Sequence, residues 1–422
     1  MLYERWRKIA AERRDEIALS DFASGKRRTF GELFAAGERQ KTGPTGMVFP
    51  QGHSPEFIFE LLAAWRENKI SCPLEPGQGK PGSCPGQPVR CLARPIVQLK
   101  STSATGGTAR YVAFAAEQLM ADAENIVATM GLRADWPNLG VISLAHSYGF
   151  SNLVLPLLLH GIPLVLAPAP LPEIVRRAAG GESHITLAAV PAMWRAWHAA
   201  VAIPQNVRLA VSAGAPLSMN LEQEVFKSCG LKVHNFLGAS ECGGIAYDAG
   251  ETPRTDDALV GSPVQNVSLS LNDNGCLVVR SRAVAETYWP EKSDLLGGGI
   301  FQTSDLAEFI DGAVFLRGRL GDQINIAGRK VSPETVECAL LAHPQVRECL
   351  VFGAPSRAAE RTEIIVAVVA ASATESRLKN FLLQTLPAWQ VPREWHFVDS
   401  LSTNVRGKIS RAEWRKHFAP RV

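Results

Sequence analysis

The chain has 422 residues, more than one hydrophobic core commonly holds, so at least two domains are expected. With 46% hydrophobic and 20% charged residues, wholesale disorder and fibrous structure are excluded. Lys and Arg number 44 against 41 Asp and Glu, and a net charge of +3 spread over this length offers no sustained basic stripe for a nucleic-acid backbone.

Residues 4–17 carry a charge-rich helical pattern, 18–21 read as a short strand, and 28–33 open a second helix. Charges occupy the positions where a signal peptide needs an apolar core. The eight cysteines are scattered without matched C-x-x-C halves. A reducing cytoplasm is therefore the expected setting, and a structural zinc site is not expected. Residues 76–95 are rich in Pro and Gly and read as a surface crossover. From 98 to about 250, apolar runs at 141–144, 164–166, 185–190, 209–211 and 232–236 alternate with amphipathic stretches, which predicts parallel strands joined by crossover helices. Residues 153–171 approach the length of a membrane span but contain His160, Gly161 and four prolines. They read as a helix, a turn and a buried strand at 163–167, so no span is expected.

After Gly261 short strands are split by Asn272-Asp273-Asn274-Gly275 and by Asp311-Gly312, the chemistry of antiparallel hairpins in a smaller β-rich subdomain. The last hundred residues form an α+β unit. Ser332 and Pro333 are an N-cap and first-turn pair, strands follow at 346–352, 362–370 and 395–398, and a helix at 375–386 precedes the last of them.

Several segments carry chemistry. Residues 99–110 (LKSTSATGGTAR) follow a strand with hydroxyl-bearing and Gly residues and end in a cation, which suits a polyphosphate. No Walker Gly-Lys-Ser/Thr is present, and such a run taken alone reads first as a flexible turn. His343, His396 and the other histidines lack metal-ligand spacing, and no Ser/His/Asp set suggests a hydrolytic triad.

The order of these segments resembles the acyl-adenylate-forming family, which comprises acyl-CoA synthetases, aryl-acid ligases and nonribosomal adenylation domains. Residues 102–110 are similar to its Thr-Ser-Gly-Ser/Thr-Thr-Gly-x-Pro-Lys loop, with Arg110 at the Lys position and departures at Ala104, Gly106 and Ala109. The resemblance implies that Thr102, Ser103, Thr105, Gly107 and Arg110 bind ATP phosphates. Ser212-Ala213-Gly214-Ala215-Pro216-Leu217 is similar to the family's adenine-side turn, implying nucleotide contact by Gly214, Ala215 and Pro216. Phe236-Leu237-Gly238-Ala239-Ser240-Glu241 is similar to Tyr-Gly-x-Thr-Glu. Phe236, Leu237, Gly238 and Ser240 would then line the AMP site, and Glu241 would be catalytic and hold Mg2+, which favours a carboxylate. Phe301-Gln302-Thr303-Ser304-Asp305 looks like Tyr-x-Thr-Gly-Asp, whose Asp accepts the ribose hydroxyls.

The most specific match runs from Arg317 through GRLGDQINIAGRKVSPETVE. It implies a ribose or phosphate contact from Arg319 and a hinge at Leu320 and Gly321, where glycine tolerates large torsion changes. Asn325 replaces the family's hinge-proximal Lys. Asn404-Val405-Arg406-Gly407-Lys408-Ile409-Ser410-Arg411 resembles the C-terminal Gly-Lys-Ile-x-Arg motif, with Ser402 replacing an upstream Pro, and it makes Lys408 the catalytic cation. His146-Ser147-Tyr148-Gly149 resembles the segment beside the acyl pocket, for which His146, Tyr148, Met193 and Gly238 are candidates. Tyr148, Met193 and Gly238 read equally as plain core, and a packed core histidine is the second reading of His146. No acidic residue lies between 139 and 172, so a free amino acid, whose buried ammonium would lack a partner, is a poor substrate.

The resulting expectation is a large N-terminal α/β domain, 1–319, with parallel sheets and a small β-rich subdomain, and a small mobile α+β domain, 320–422. The expected activity is that of an ATP-dependent ligase. It would activate a hydrophobic or aromatic carboxylic acid as acyl-AMP with ATP and Mg2+, then pass the acyl group to CoA or the phosphopantetheine of an acyl carrier protein. The small size leans toward a biosynthetic ligase serving a carrier protein. The departures also fit a catalytically inactive nucleotide- or acyl-binding partner, although Glu241, Asp305, Arg319 and Lys408 are all retained.

Overall fold

The computed structural model describes residues 1–81, 94–102, 110–326, 328–355, 363–401 and 411–418. Six strands run parallel side by side, in the order Ile17–Asp21, Leu164–Leu166, Asn138–Gly140, Ile185–Ala189, Val207–Ser212 and Val233–Ala239. The Ile185–Ala189 and Leu164–Leu166 strands are buried throughout, as parallel strands covered on both faces must be. The sheet continues antiparallel through Gly243–Tyr247, Leu259–Pro263, Ala313–Arg319, Ile300–Ile310, Cys276–Arg280 and Ser268–Leu271. A second, five-stranded sheet joins Thr287–Trp289, Arg110–Ala115, Ile96–Thr102, Ile70–Ser71 and Met47–Val48. The expected α/β class and the antiparallel hairpins are both present.

Local chemistry accounts for many of these elements. The first helix, Leu2–Glu12, buries Leu2, Trp6, Ile9 and Ala10 along one stripe. The next, Phe30–Arg39, opens on a capping box in which Thr29 and Glu32 satisfy each other's backbone donors. The Asn272–Gly275 turn is closed by the Asn272 side chain, which accepts from the amides of Asn274 and Cys276, each at 3.0 Å.

Several boundaries differ from expectation. The helix expected at 4–17 ends at Glu12, because the chain then turns to meet the second helix: Arg14 and Glu16 carbonyls accept from Gly31 and Phe30 at 2.9 Å each. The strand expected at 141–144 lies earlier, at Asn138–Gly140. Residues 141–144 are irregular because the Ser143 side chain accepts from the Ala145 amide at 3.2 Å and the chain folds back against Gly149. The strand at 232–236 extends to Ala239, and the helix at 375–386 stops at Leu382. The 153–171 region is a π-helical turn, Phe150–Val154, a helix, Leu155–His160, and the strand Leu164–Leu166. Among the described residues no helix is long and apolar enough to cross a membrane.

The C-terminal strands Val346–Pro355, Glu363–Ala371 and Glu394–Phe397 form their own sheet. Alternate residues enter two cores. Cys349, Val351, Ile365, Ala367 and Val369 pack with the helices Pro333–Leu341 and Glu375–Leu382, while Leu350, Phe352, Val366 and Val368 pack with Leu401 and Trp414. Burial on both faces explains the unbroken apolar run IIVAVVA. These cores are distinct from the large one that runs from Leu2 to Val314. Arg411, at the start of the last helix, pairs with both carboxylate oxygens of Glu337 at 2.9 and 3.0 Å, with Asp322 at 2.7 Å and with Glu334 at 3.0 Å. At Gly318, φ +99°, an added Cβ would lie 2.1 Å from the Ser332 hydroxyl, so only glycine admits this approach.

Candidate functional site

Loops after the parallel strands gather at the carboxyl edge of the sheet, where open α/β sheets bind ligands. Val207–Ser212 leads to the exposed Gly214, Ala215 and Pro216, Val233–Ala239 leads to Ser240 and Glu241, and Asn138–Gly140 leads to His146. Ser147 and Ser240 hydroxyls lie 2.9 Å apart and join two of these loops.

Glu241 sits in a three-residue hairpin loop, since Ala239 pairs with Gly243. Gly243 has φ +69°, the left-handed residue that closes such loops. The Glu241 carbonyl accepts from Ala285 at 2.9 Å, and its carboxylate accepts from the Tyr288 hydroxyl at 3.1 Å. Tyr288 lies opposite Val112 in an antiparallel pair, which puts Arg110 diagonally beside it, and the Arg110 guanidinium stacks 3.4 Å from the ring centroid. The line Arg110, Tyr288, Glu241 thus ties the end of the 99–110 segment to the carboxylate. Burial pushes the Glu241 carboxyl above the ordinary range, while a backbone hydrogen bond, the Tyr288 hydroxyl and the Arg110 and Arg319 cations oppose that rise.

Asp305 and Arg319 face each other across antiparallel strands, with Nε donating to Oδ1 at 2.8 Å. The Asp305 amide is held by the Thr303 hydroxyl at 3.0 Å. Thr102 donates to the Arg110 carbonyl at 3.1 Å, at the end of the strand pair Ile96–Thr102 and Arg110–Ala115. Ser103, Thr105, Gly107 and Lys408 lie outside the described residues.

The acyl-side candidates separate. His146 caps a short helical turn, its Nδ1 accepting from the Tyr148 amide at 3.3 Å. Tyr148 is buried against Phe236, ring centroids 6.2 Å apart, and its hydroxyl donates to the Val211 carbonyl at 3.2 Å. It presents no free hydroxyl to a ligand. Met193 is half-buried against the main core, Phe236 is buried, Leu237 is half-buried and Gly238 is exposed. Leu320 is exposed, its amide donating to Ser304 at 2.9 Å, and a Cβ at Gly321 would meet nothing within 4 Å. Neither space nor a positive φ requires glycine there. At the family's Lys position, Asn325 accepts from the Gly328 amide at 2.8 Å.

Sequence reading missed a buried network behind the Gly214–Pro216 turn. Glu222 accepts from Arg254 Nε at 2.8 Å, from the Arg254 amide at 3.0 Å and from Lys232, which also donates to Asp248 at 2.6 Å. Arg254 in turn donates to the Leu217 carbonyl at 2.5 Å, at the end of the turn. The available signal was Glu222 lying beside Leu221 and Val225 on the buried face of the helix Met219–Cys229. Among the described residues, no three His, Cys, Asp or Glu side chains cluster as a metal site.

Residues 74–289 match the AMP-binding enzyme model, and 335–408 match the AMP-binding enzyme C-terminal domain. The first match alone spans more than half of the chain, and the chain belongs to this family. It is 27% identical over 342 residues to a probable 2-succinylbenzoate–CoA ligase of Mycobacterium tuberculosis, covering 77% of this chain and 85% of that one. It is 30% identical over 236 residues to the fatty acid–[acyl-carrier-protein] ligase ScoC of Streptomyces coeruleorubidus, covering 50% and 45%. Against several curated relatives, the chain spans half or less of their length. The structure of the anthranilate CoA ligase AuaEII with anthranoyl-AMP superposes with a TM-score of 0.86 at 18% identity, covering 99% of this chain and 97% of that one, which shows a shared fold.

Proposed function

We propose that the protein is an ATP-dependent acid–thiol ligase of the cytoplasm. It activates a hydrophobic or aromatic carboxylic acid as acyl-AMP and passes the acyl group to the thiol of CoA or of a carrier-protein phosphopantetheine. The observation that carries this reading is the union of Arg110, Tyr288 and Glu241 at the carboxyl edge of the parallel strands. The substrate carboxylate attacks the α-phosphorus of ATP and the bond to pyrophosphate breaks. The thiol sulfur then attacks the acyl carbonyl, its proton goes to solvent, and AMP leaves.

Thr102, Ser103, Thr105, Gly107 and Arg110 are assigned to the phosphates. Gly214, Ala215, Pro216, Phe236, Leu237, Gly238 and Ser240 are assigned to the adenine side, and Asp305 with Arg319 to the ribose. His146, Met193 and Gly238 border the acyl group, with Tyr148 packed behind them. Mg2+ is commonly bound through one or two protein carboxylates, and Glu241 is the residue that would hold it. When bound, Mg2+ neutralises charge on the phosphate oxygens. Residues 320–422 swing about Leu320 and Gly321, first to bring Lys408 to ATP and then to admit the thiol.

The deciding experiment is carboxylate-dependent exchange of pyrophosphate into ATP across aryl, short, medium and long acids, with amino acids as controls. Exchange with one acid class is expected. Silence across the panel with intact ATP binding would favour a nucleotide-binding partner protein instead.

Two further results are expected. Asp305→Ala removes an ionised acceptor worth about 1.5 to 3 kcal/mol and raises the ATP needed for half-maximal exchange roughly tenfold to hundredfold. An unchanged ATP requirement would detach Asp305 from the nucleotide. Burial raises the Glu241 carboxyl, so the metal-free fold loses that group's contribution to stability as pH rises from the ordinary carboxylate range through the raised value. Mg2+ needs the ionised form, and its binding strengthens over the same window, releasing about one proton per ion. Mg2+ titrations at several pH values should show this slope, and Glu241→Gln should abolish it.

A further inference from the structure

Directly behind the Glu241 turn lies a second charged cluster. Lys100, in the strand Ile96–Thr102, is 3% exposed, and Asp122, in the helix Ala116–Met130, is 1% exposed. Their charged groups are 3.9 Å apart. Ser151 bridges them: Lys100 Nζ donates to its hydroxyl at 3.3 Å, and the hydroxyl donates to Asp122 Oδ2 at 2.5 Å. Phe114 and Phe150 cover the ammonium, with ring centroids at 4.6 and 5.5 Å. The other Asp122 oxygen, Oδ1, accepts from the Gly244 amide at 3.2 Å. A Cβ at Gly243 would lie 1.8 Å from that same oxygen. The carboxylate is therefore seated in the space left by the missing side chain, two residues from Glu241.

A buried ion pair is poor evidence of added stability, because desolvation offsets its attraction, and apolar replacements of the same shape are often neutral or stabilising. Burial does push the Lys100 ammonium down, against the pull of Asp122. What the pair does accomplish is geometric. It joins the strand Ile96–Thr102, the helix Ala116–Met130 and the Glu241 hairpin at a single carboxylate.

We propose that Asp122, held by Lys100 and Ser151, is a positioning residue for Glu241: it clamps Gly243 and the Gly244 amide and so fixes where the Glu241 carboxylate meets the Mg2+–ATP complex. The proposal rests on the reading of Glu241 given above. Asp122 reaches neither nucleotide nor metal and acts only through the turn. Groups that orient a metal ligand from behind commonly change metal affinity or activity tenfold to hundredfold when removed.

Two double variants separate the clamp from the charge. K100M/D122N and K100M/D122L both remove the ion pair and keep, at position 122, a side chain branched at the same carbon. Only the first keeps an oxygen for the Gly244 amide. In the full-length protein, the Mg2+ concentration for half-maximal pyrophosphate exchange is measured alongside the melting-temperature shift caused by ATP with Mg2+ and by ATP with EDTA. K100M/D122L is expected to need roughly tenfold to hundredfold more Mg2+ than K100M/D122N. Its Mg2+-dependent shift is expected to be smaller, each shift being measured from that variant's own melting temperature without nucleotide. Equal Mg2+ requirements in the two variants would overturn the positioning role. Should K100M/D122L fail to fold, Gly243→Ala tests the same contact from the turn side, and an unchanged Mg2+ requirement there would also overturn it. If the unmodified protein shows neither exchange nor a Mg2+-dependent shift with ATP, the assignment of Glu241 itself fails.

Discussion

Lys408→Ala is expected to lower acyl-adenylate formation by roughly 10²-fold to 10³-fold, about 3 to 4 kcal/mol, while sparing thioester formation from supplied acyl-AMP. The two halves of the reaction differ in where charge appears. Adenylation builds negative charge on phosphoryl oxygens, and a point cation on a flexible stem lowers that barrier. Thiol attack starts from an activated mixed anhydride and needs little further help. Arg411, three residues on, belongs to the same motif and is tied to Glu337, Glu334 and Asp322 within its own unit. Exchange of pyrophosphate reports the first half, and thioester formed from synthetic acyl-AMP reports the second. Equal loss in both would contradict the role assigned to Lys408.

Glu222→Ala is expected to lower stability by about 3 to 5 kcal/mol. The Glu222 side chain is 0% exposed and takes bonds from both Lys232 and Arg254, whose side chains are 6% and 1% exposed. Its loss leaves Arg254 without a carboxylate partner and Lys232 with Asp248 alone. Because Arg254 also holds the Leu217 carbonyl, the Gly214–Pro216 turn loosens and ATP binding weakens with the fold. Glu222→Gln keeps an acceptor and should lose less. Thermal unfolding of the variants, read on the large N-terminal unit, checks the order, and unchanged melting of Glu222→Ala would refute the argument.

Features built from neighbouring residues were legible in the sequence. The turns at Asn272–Gly275 and Asp311-Gly312 depend on their own side chains and backbone, and the Ser332-Pro333 helix start is equally local. The parallel strands were readable because burial on both faces leaves continuous apolar runs. What escaped depends on residues far apart in the chain. Residues 141–144 look like a strand by composition, yet contact with Gly149 and the Ser143 turn diverts them. Tyr288 lies in no recognised motif, and the pairing of Thr287–Trp289 with Arg110–Ala115 brings it to Glu241. Lys100 and Asp122 are ordinary charges in sequence, and their partnership exists only once helix, strand and hairpin have met.

The anchors around Gly321 bear on how the C-terminal unit can turn. Leu320 is bonded through its amide to Ser304, on the N-terminal side, whereas the Asp322 side chain is bonded to Arg411, on the C-terminal side. One residue lies between the two attachments. The swing proposed above would therefore concentrate in the two backbone torsions of Gly321, at the expense of the Asp322 to Arg319 backbone hydrogen bond of 3.1 Å that spans the turn. In the proposed swing such a joint would behave as a swivel and not as a tether, changing the heading of the unit while both attachments hold. The nested contact of Gly318 with Ser332 would then be an end stop of one heading in that proposed swing, since the close approach would have to open for the unit to turn.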